Sequence, residues 1–260
     1  MTGTERIAAA FAGGRPAFMP YLMAGFPDVA ASRRVAQAYV DGGAHLVELG
    51  VPFSDPLADG PVIHAAATRA LAQGATLATA LDLGERLAEH LPVVAMCYTN
   101  VVLARGAETF ARTLAERGLA GLIVPDLPLE EAPTVLAACD AAGLALVPLV
   151  APTTSDERLA AIGEQARGFV YTVSVRGTTG ERSGLDGGLQ PLLARVRAHS
   201  PVPVAVGFGI ATPDDAARAA AAGADGVIVG SRLVRAAGEA GADPYETVRA
   251  LVAGMAGALR

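Results

Sequence analysis

Eight short, almost continuously apolar segments alternate with longer Ala- and Leu-rich segments of helical period, and this alternation constrains the fold most. Parallel strands that are buried on both faces have this apolar character. The predicted strands cover residues 18–23, 45–49, 93–97, 121–124, 145–149, 169–174, 204–207 and 226–230. The predicted helices cover residues 4–12, 32–41, 62–73, 77–90, 107–117, 131–142, 156–166, 189–199, 214–222 and 245–259.

A weak internal repeat supports this alternation. Four-residue segments with glycine in second position, at 41–44, 117–120, 142–145 and 222–225, each lead into a predicted strand. Glycine just past a helix end supplies the left-handed residue that terminates the helix. With 260 residues, the chain is predicted to form a single (β/α)8 TIM barrel domain over residues 1–260, with an extra N-terminal helix covering its bottom. The alternative is a doubly wound open sheet, but no Gly-x-Gly-x-x-Gly follows the first strand to favour it.

The composition excludes several kinds of chemistry. The net charge is −6 without any run of five like charges, so neither a nucleic-acid surface nor a membrane surface is indicated. All 20 basic residues are arginine, which excludes a Schiff-base lysine and pyridoxal phosphate chemistry on this chain. The histidines are scattered and the two cysteines are isolated, so we expect no metal site and no disulfide framework. Without a long apolar run, the chain is expected to be soluble and cytoplasmic.

Two carboxylates are predicted at the active end of the barrel. Glu48 falls at the end of the second strand, and Asp59 stands where the next helix begins, just before Gly60. In this fold, functional residues lie at the C-terminal ends of the strands, and a carboxylate pair there suits proton transfer. Structural alternatives stay open, because Glu48 could be ion-paired and Asp59 could cap the helix. Asp55, in a Ser-Asp-Pro turn, could brace the loop.

Glycine-rich loops follow the last three strands. Residues 207–210 follow the seventh strand and include Gly209, while Gly230 and Ser231 follow the eighth. Loops at these two positions often hold a phosphate group in TIM barrels, so we predict phosphate binding there. Residues 175–187 have the composition of a mobile lid, although a flexible connection without function would look the same.

Aromatic and apolar residues are predicted to line the rest of the barrel mouth. Taken singly, each is as easily explained as part of the core. Taken together, they indicate a flat, hydrophobic ligand beside the phosphate. These residues are Tyr21, Met96, Tyr98, Ile123, Tyr171 and Phe208.

Several segments resemble the tryptophan synthase alpha subunit family. Residues 48–61 read ELGVPFSDPLADGP and look like its signature, which is long and specific. Residues 20–28, 125–128, 207–210 and 230–231 fit the family pattern in the same order. The resemblance covers essentially the whole chain. It implies a lyase that cleaves indole-3-glycerol phosphate to indole and glyceraldehyde 3-phosphate by a retro-aldol reaction, without a metal or cofactor on this chain.

The resemblance also implies roles for individual residues. Glu48 would be the general acid/base at C3 of the indole ring, and Asp59 would accept a hydrogen bond from the indole N–H. Tyr171 would orient Glu48 or the substrate, and Thr179 on the lid would contact Asp59. The residues implied around the phosphate are Gly180, Phe208, Gly209, Gly230 and Ser231. The family usually reads Gly-Val-Thr-Gly in the lid, whereas this chain reads Gly-Thr-Thr-Gly at 177–180.

A partner is implied as well. Family members bind a beta subunit in an α2β2 heterotetramer, so pyridoxal phosphate is expected only on that subunit. Asp55 and Asn100 would face it. A stand-alone lyase that releases free indole, and a regulatory subunit without catalysis, are the alternatives. A phosphate-sugar isomerase fits less well, because the predicted lining is too apolar for a sugar.

Overall fold

Parallel strands form the centre of the fold in the computed structural model, which describes residues 1–173, 188–207, 209–239 and 243–260. The strands are β1 (Ala17–Met23), β2 (Val47–Gly50), β3 (Val93–Met96), β4 (Gly121–Ile123), β5 (Ala145–Leu146), β6 (Leu149–Val150), β7 (Val170–Val173), β8 (Val204–Gly207) and β9 (Gly226–Val229). Their order in the sheet is β5-β4-β3-β2-β1-β9-β8-β7-β6, and all neighbours are parallel. Every predicted strand position is therefore occupied by a strand.

The fifth predicted strand, at 145–149, is divided into β5 and β6. Between the two pieces, the Val147 N–H donates to the Leu122 carbonyl of β4 at 2.9 Å. The Pro148 carbonyl accepts from the Tyr171 N–H of β7, also at 2.9 Å. Proline has no N–H and cannot continue a strand ladder in the usual way. The two residues nevertheless join both ends of the sheet, and the α/β TIM barrel closes here.

Helices surround the strands and occupy all ten predicted positions. They are α1 (Gly3–Phe11), α2 (Val29–Asp41), α3 (Pro61–Ala72), α4 (Leu77–Ala88), α5 (Thr99–Leu103), α6 (Ala107–Glu116), α7 (Ala132–Ala141), α8 (Asp156–Gln165), α9 (Leu189–His199), α10 (Pro213–Ala221), α11 (Ser231–Glu239) and α12 (Tyr245–Gly257). A short 3-10 helix covers Leu129–Glu131. The sequence analysis predicted neither this turn nor α5 and α11. In the described residues, no helix has the length and apolar character needed to cross a membrane.

The predicted glycine punctuation is confirmed at all four places. Gly43, Gly118, Gly143 and Gly223 have φ values between +71° and +98°. L-residues with a Cβ rarely adopt this left-handed region, so glycine lets each helix end and the chain turn into the next strand.

Helix α1 closes the N-terminal end of the barrel, as predicted. Ile7 is fully buried and belongs to the cluster of side chains that fills the barrel interior. Arg6 donates hydrogen bonds to the carbonyls of Gly118 (2.5 Å), Ala88 (2.6 Å) and Leu91 (3.0 Å). These carbonyls lie near the ends of other helices, where backbone acceptors lack helical partners. The opposite end of the barrel is thus the open one.

Candidate active site

A pocket opens at the C-terminal ends of the strands. It encloses about 550 Å³ of space between atoms, part of which is open to solvent. Active sites of TIM barrels lie at this end. The residues that line it are Tyr21, Glu48, Ala58, Asp59, Gly60, Ile63, Met96, Pro125, Leu149, Tyr171, Ile228, Gly230 and Ser231. Apolar side chains thus surround two carboxylates.

Glu48 lies in β2, where it pairs in register with Tyr21 of β1 and Val94 of β3. Its relative exposure is only 3%. Burial, and to a lesser extent the negative charge of Asp59, raises the pKa of Glu48 to about 8. A carboxyl group that titrates near neutral pH can both give and take a proton in the same reaction.

Asp59 reaches the pocket from the loop between β2 and α3. Gly60 is the N-cap residue of α3, and Pro61 follows in its first turn. Asp59 thus stands one position before the cap, which rules out the alternative that it caps this helix. Burial raises the pKa of Asp59, while the Tyr98 hydroxyl and the nearby His64 ring act in the opposite direction.

Tyr98 braces the loop that carries Asp59. Its hydroxyl accepts a hydrogen bond from the Ala58 N–H at 3.0 Å, one residue before Asp59. Its ring stacks on Phe53, with 5.2 Å between the centroids and 22° between the planes. The sequence analysis placed Tyr98 only among the residues that line the ligand pocket. Its bracing contacts connect two loops and could not be read from either loop alone.

Two tyrosines flank the carboxylates. Burial is the main cause that raises the pKa of both tyrosines, and the negative charges of the two carboxylates add to it. Asp59 has the larger effect of the two on Tyr21, and Glu48 has the larger effect on Tyr171. Both hydroxyl groups therefore stay protonated and can serve as hydrogen-bond donors.

Two glycines make room for these rings. A Cβ built on Gly50 would collide with the Tyr21 hydroxyl, and one built on Gly207 would collide with the Tyr171 hydroxyl. This role of Gly50 was not predicted from the sequence, and Gly207 was assigned only to the phosphate loop. A signal was available, since Gly50 directly follows the predicted strand 45–49, Gly207 ends the predicted strand 204–207, and each of these strands neighbours a strand that carries a tyrosine.

The structure describes three of the five residues that were predicted around the phosphate, namely Gly209, Gly230 and Ser231. Gly230 and Ser231 line the pocket, and Ser231 is the first residue of α11. Unpaired backbone N–H groups and the helix dipole favour an anion at such a position. Gly209 has φ +78° in the loop after β8 and lies outside the set of lining residues. Gly180 and Phe208 are outside the described residues.

The other predicted residues are distributed as follows. Met96 lines the pocket, whereas Ile123 is fully buried among the side chains inside the barrel. Asp55 is exposed in the loop after β2, and Asn100 is exposed in α5 at the same end of the barrel. Thr179 and the predicted lid at 175–187 are outside the described residues.

A metal centre is not seen in the described part of the chain. None of its His, Cys, Asp and Glu side chains form a group of three or more that could hold a metal ion. The described residues offer instead two carboxylates, two tyrosine hydroxyls and a helix N-terminus. A TIM barrel with this site belongs to the class of barrel enzymes that use acid–base chemistry.

Comparison with known proteins gives the family. The model of the family described as "Tryptophan synthase alpha chain" matches residues 7–258, so the chain belongs to that family. The tryptophan synthase alpha chain of Prochlorococcus marinus is 50% identical over 238 residues, which are 90% of this chain and 86% of that protein. The alpha chain of Methanosarcina mazei is 46% identical over 235 residues, with coverage of 90% and 86%.

Solved structures agree with this assignment. A chain of Mycobacterium tuberculosis tryptophan synthase superposes with a TM-score of 0.89 at 41% identity, covering 99% of this chain and 96% of that one. A chain from the tryptophan synthase α2β2 complex of Pyrococcus furiosus gives a TM-score of 0.87 at 36% identity, with coverage of 94% and 98%. The predicted fold and family are both confirmed.

Proposed function

We propose that this chain is the alpha subunit of a tryptophan synthase and cleaves indole-3-glycerol phosphate to indole and glyceraldehyde 3-phosphate. The observation that carries this proposal is the pairing of Glu48 and Asp59 in one apolar pocket that also contains the N-terminus of α11. Family membership supports the reaction, and the two carboxylates supply groups suited to it. We further propose that residues 1–260 form one domain and that the protein is located in the cytoplasm.

Glu48 acts as the general acid and base. With a pKa of about 8 it is mostly protonated at neutral pH, so it can donate a proton to C3 of the indole ring. The ring nitrogen then carries positive charge. The Glu48 carboxylate left by this step takes the proton from the hydroxyl on the carbon attached to C3, and the bond between that carbon and C3 breaks. The electron pair of this bond returns to the ring, so that indole and an aldehyde are formed.

Asp59 stabilises the intermediate charge. Its carboxylate accepts a hydrogen bond from the indole N–H, and this interaction strengthens when the ring becomes cationic. Tyr171 orients Glu48 or the substrate by donating from its hydroxyl. On this proposal Thr179 contacts Asp59 from the lid.

The remainder of the pocket binds the two ends of the substrate. Gly230 and Ser231 at the N-terminus of α11 hold the phosphate, and Gly180, Phe208 and Gly209 complete that site. Apolar side chains such as Tyr21 and Met96 contact the indole ring, and Tyr98 and Ile123 support the pocket from behind.

The partner is a tryptophan synthase beta subunit in an α2β2 heterotetramer. The family and the printed description of the Pyrococcus furiosus complex support this assembly. Pyridoxal phosphate belongs to the beta subunit, in keeping with the absence of lysine from this chain. Leu57 is 82% exposed in the loop that carries Asp55, and Leu103 is 60% exposed at the end of α5, the short helix that carries Asn100. Exposed apolar side chains beside polar ones are typical of a protein interface.

The test is indole formation from indole-3-glycerol phosphate by the purified chain, with and without a beta subunit. Glu48→Gln and Asp59→Asn should each abolish it, whereas Glu89→Gln should not, since Glu89 is exposed where α4 ends, just before β3. Slow release that the beta subunit accelerates supports the proposal, and fast release without it indicates a stand-alone lyase. No release from the parent chain under either condition would leave a regulatory subunit, and activity that survives in Glu48→Gln would contradict the assigned chemistry.

A further inference from the structure

Three successive loops at the mouth of the barrel are connected through the side chains of Asp126, Thr99 and Tyr98. Asp126 lies in the loop after β4. Its Oδ1 accepts two hydrogen bonds from Thr99, one from the backbone N–H at 2.8 Å and one from Oγ1 at 2.9 Å. Thr99 begins α5, which follows β3. The loop after β4 thus holds the loop after β3.

The contact with Asp126 determines the position of Tyr98. Tyr98 is the N-cap residue of α5, and its side chain is directed to the loop at 58–59 instead of to its own helix. Asp126 supplies the cap to α5 from a neighbouring loop. A carboxylate at this position also stabilises the positive end of the helix. Because Thr99 is held at both its N–H and its hydroxyl, the adjoining backbone of Tyr98 has little freedom.

The Tyr98 hydroxyl in turn fixes the loop between β2 and α3, which carries Asp59. It accepts a hydrogen bond from the Ala58 N–H at 3.0 Å, and Ala58 directly precedes Asp59 in this loop. Tyr98 is only 4% exposed and its ring is stacked on Phe53, so the hydroxyl has a fixed direction. The Asp59 carboxylate is thereby directed into the pocket that also contains Glu48.

We propose that Asp126 and Thr99 are positioning residues for Asp59 and act on it through the hydroxyl of Tyr98. This inference rests on the proposed function, in which Asp59 stabilises positive charge on the indole ring. Asp126 itself is not among the residues that line the pocket. Its effect should therefore appear in how well Asp59 works and in the pH at which Asp59 loses its proton.

The direction of the pH effect follows from the position of the Tyr98 hydroxyl beside the loop that carries Asp59. Tyr98 favours the charged form of Asp59 and opposes the effect of burial on its pKa. A displaced Tyr98 hydroxyl would let that pKa rise. More of Asp59 would then be protonated at a given pH, and the acidic limb of the pH–rate profile would move to higher pH.

The experiment compares five single variants of the full chain, and the double variant Asp126→Ala/Tyr98→Phe, in the cleavage of indole-3-glycerol phosphate. Asp126→Ala removes the acceptor, and Asp126→Asn keeps an oxygen in its place. Thr99→Val removes only the hydroxyl, and Tyr98→Phe removes the final contact. The matched control is Tyr245→Phe, which deletes a tyrosine–carboxylate hydrogen bond of 2.5 Å to Asp41, outside the pocket. Thermal unfolding of each variant shows that it is folded at the assay temperature.

We expect Asp126→Ala and Tyr98→Phe each to lower kcat about tenfold with little change in KM, because a transition-state interaction is lost. Their acidic limbs should move to higher pH, and the double variant should be no worse than Tyr98→Phe alone. Thr99→Val should show a smaller effect, Asp126→Asn should recover most of the activity, and Tyr245→Phe should behave as the parent.

The inference is overturned if Asp126→Ala keeps the parent kcat and pH profile while Asp59→Asn is inactive. It is equally overturned if the losses of Asp126→Ala and Tyr98→Phe multiply, or if Asp126→Ala lowers only the unfolding temperature. Should Asp126→Ala fail to fold, Thr99→Val and Tyr98→Phe decide the matter by the same pH readout. An Asp59→Asn variant with parent activity would instead contradict the proposed function.

Discussion

At the scale of single residues, the position of Glu48 conflicts with stability. A carboxyl group that is 3% exposed among apolar side chains loses most of its hydration. The pKa is raised to about 8 because the buried site disfavours the ionised carboxylate, so that the folded chain keeps the Glu48 proton to a higher pH. Catalytic groups are often placed where they reduce stability. The site can be expected to gain stability when Glu48 is made neutral.

The Glu48→Gln variant should be more stable than the parent chain, by an amount that depends on pH. Below the ordinary pKa of 4.5, both the folded and the unfolded parent hold the Glu48 proton. As the pH rises from there through about 8, only the folded state retains it, so the parent loses stability progressively. The glutamine side chain of the variant does not titrate, and the difference should level off above that range.

Urea unfolding of the parent and the Glu48→Gln variant at several pH values measures this difference. The Glu89→Gln variant is the control, because Glu89 is exposed. A stability difference that stays constant between about pH 5 and 8 would contradict the raised pKa of Glu48 in the folded chain.

The sequence predicts the main carboxylates better than their surroundings. Glu48 and Asp59 could be located because strand ends and the helix start are local features. Whether Asp59 caps α3 could not be decided, since Gly60 is one residue away and is itself an accepted cap residue. The contacts of Tyr98 with Ala58 and Asp59 span about forty residues, and no local pattern reports them.

At the scale of elements, α1 is held to the barrel mainly at Arg6 and Ile7. One guanidinium group satisfies three backbone carbonyls from two different segments of the chain. Arginine suits this arrangement because its five N–H donors have a fixed planar geometry. Without the side chain, several carbonyls near helix ends would lose their partners.

Replacement of Arg6 by alanine should lower the free energy of unfolding by about 2–3 kcal/mol, since buried or half-buried acceptors would be left unsatisfied. Arg112→Ala provides a contrast, because Arg112 makes only an exposed ion pair with Glu116 at 3.9 Å. Such pairs contribute about 0–1 kcal/mol. Urea unfolding compares the two variants, and equal losses would show that the Arg6 contacts add nothing beyond a surface charge.

The elements that the sequence did not predict are short or interrupted. The fifth strand contains Pro148, whose effect on the ladder depends on the strands beside it. Helix α5 has five residues, which is too few for a helical period to be visible. Helix α11 has a clear apolar face, but its first residues were interpreted as a phosphate loop. For the fifth strand and α5 neighbouring structure decides the conformation, whereas α11 carried a local signal that the interpretation as a phosphate loop left unused.

At the scale of the whole molecule, exposed apolar side chains mark the open end of the barrel. Leu57 lies in the loop after β2, and Leu103 ends α5, the short helix that follows β3, so both flank the mouth. Leu71 is 36% exposed near the end of α3, away from the helix N-terminus that faces the pocket. The first two are suited to the proposed beta subunit contact, and Leu71 is not.

Leu57→Ser and Leu103→Ser should each weaken binding of the beta subunit about tenfold, since burial of a leucine contributes about 1.5–3 kcal/mol. Indole formation without the partner should stay at the parent rate. Leu71→Ser serves as the control and should bind normally. Titration of the alpha chain against the beta subunit, with indole release as the signal, gives the apparent Kd. Equal affinity of all three variants would place the interface elsewhere.

The barrel itself was the most predictable feature, because it is encoded many times over. Eight apolar segments and four helix-ending glycines give the same answer independently. The closure of the sheet has no repeated signal in the sequence, because the hydrogen bonds of Val147 and Pro148 that close it occur only once. Repetition along the chain can be read from sequence, whereas a single long-range contact cannot.

The way in which α1 closes the barrel imposes an order on the chain during its synthesis. Residues 3–11 are translated before every one of the segments that receive them. Arg6 needs carbonyls as far along as Gly118, and the Thr4 N–H donates to the Gly143 carbonyl. Ile7 also packs beside Gly168. The segment that leaves the ribosome early must therefore wait until about two thirds of the chain has emerged before it can take its final place.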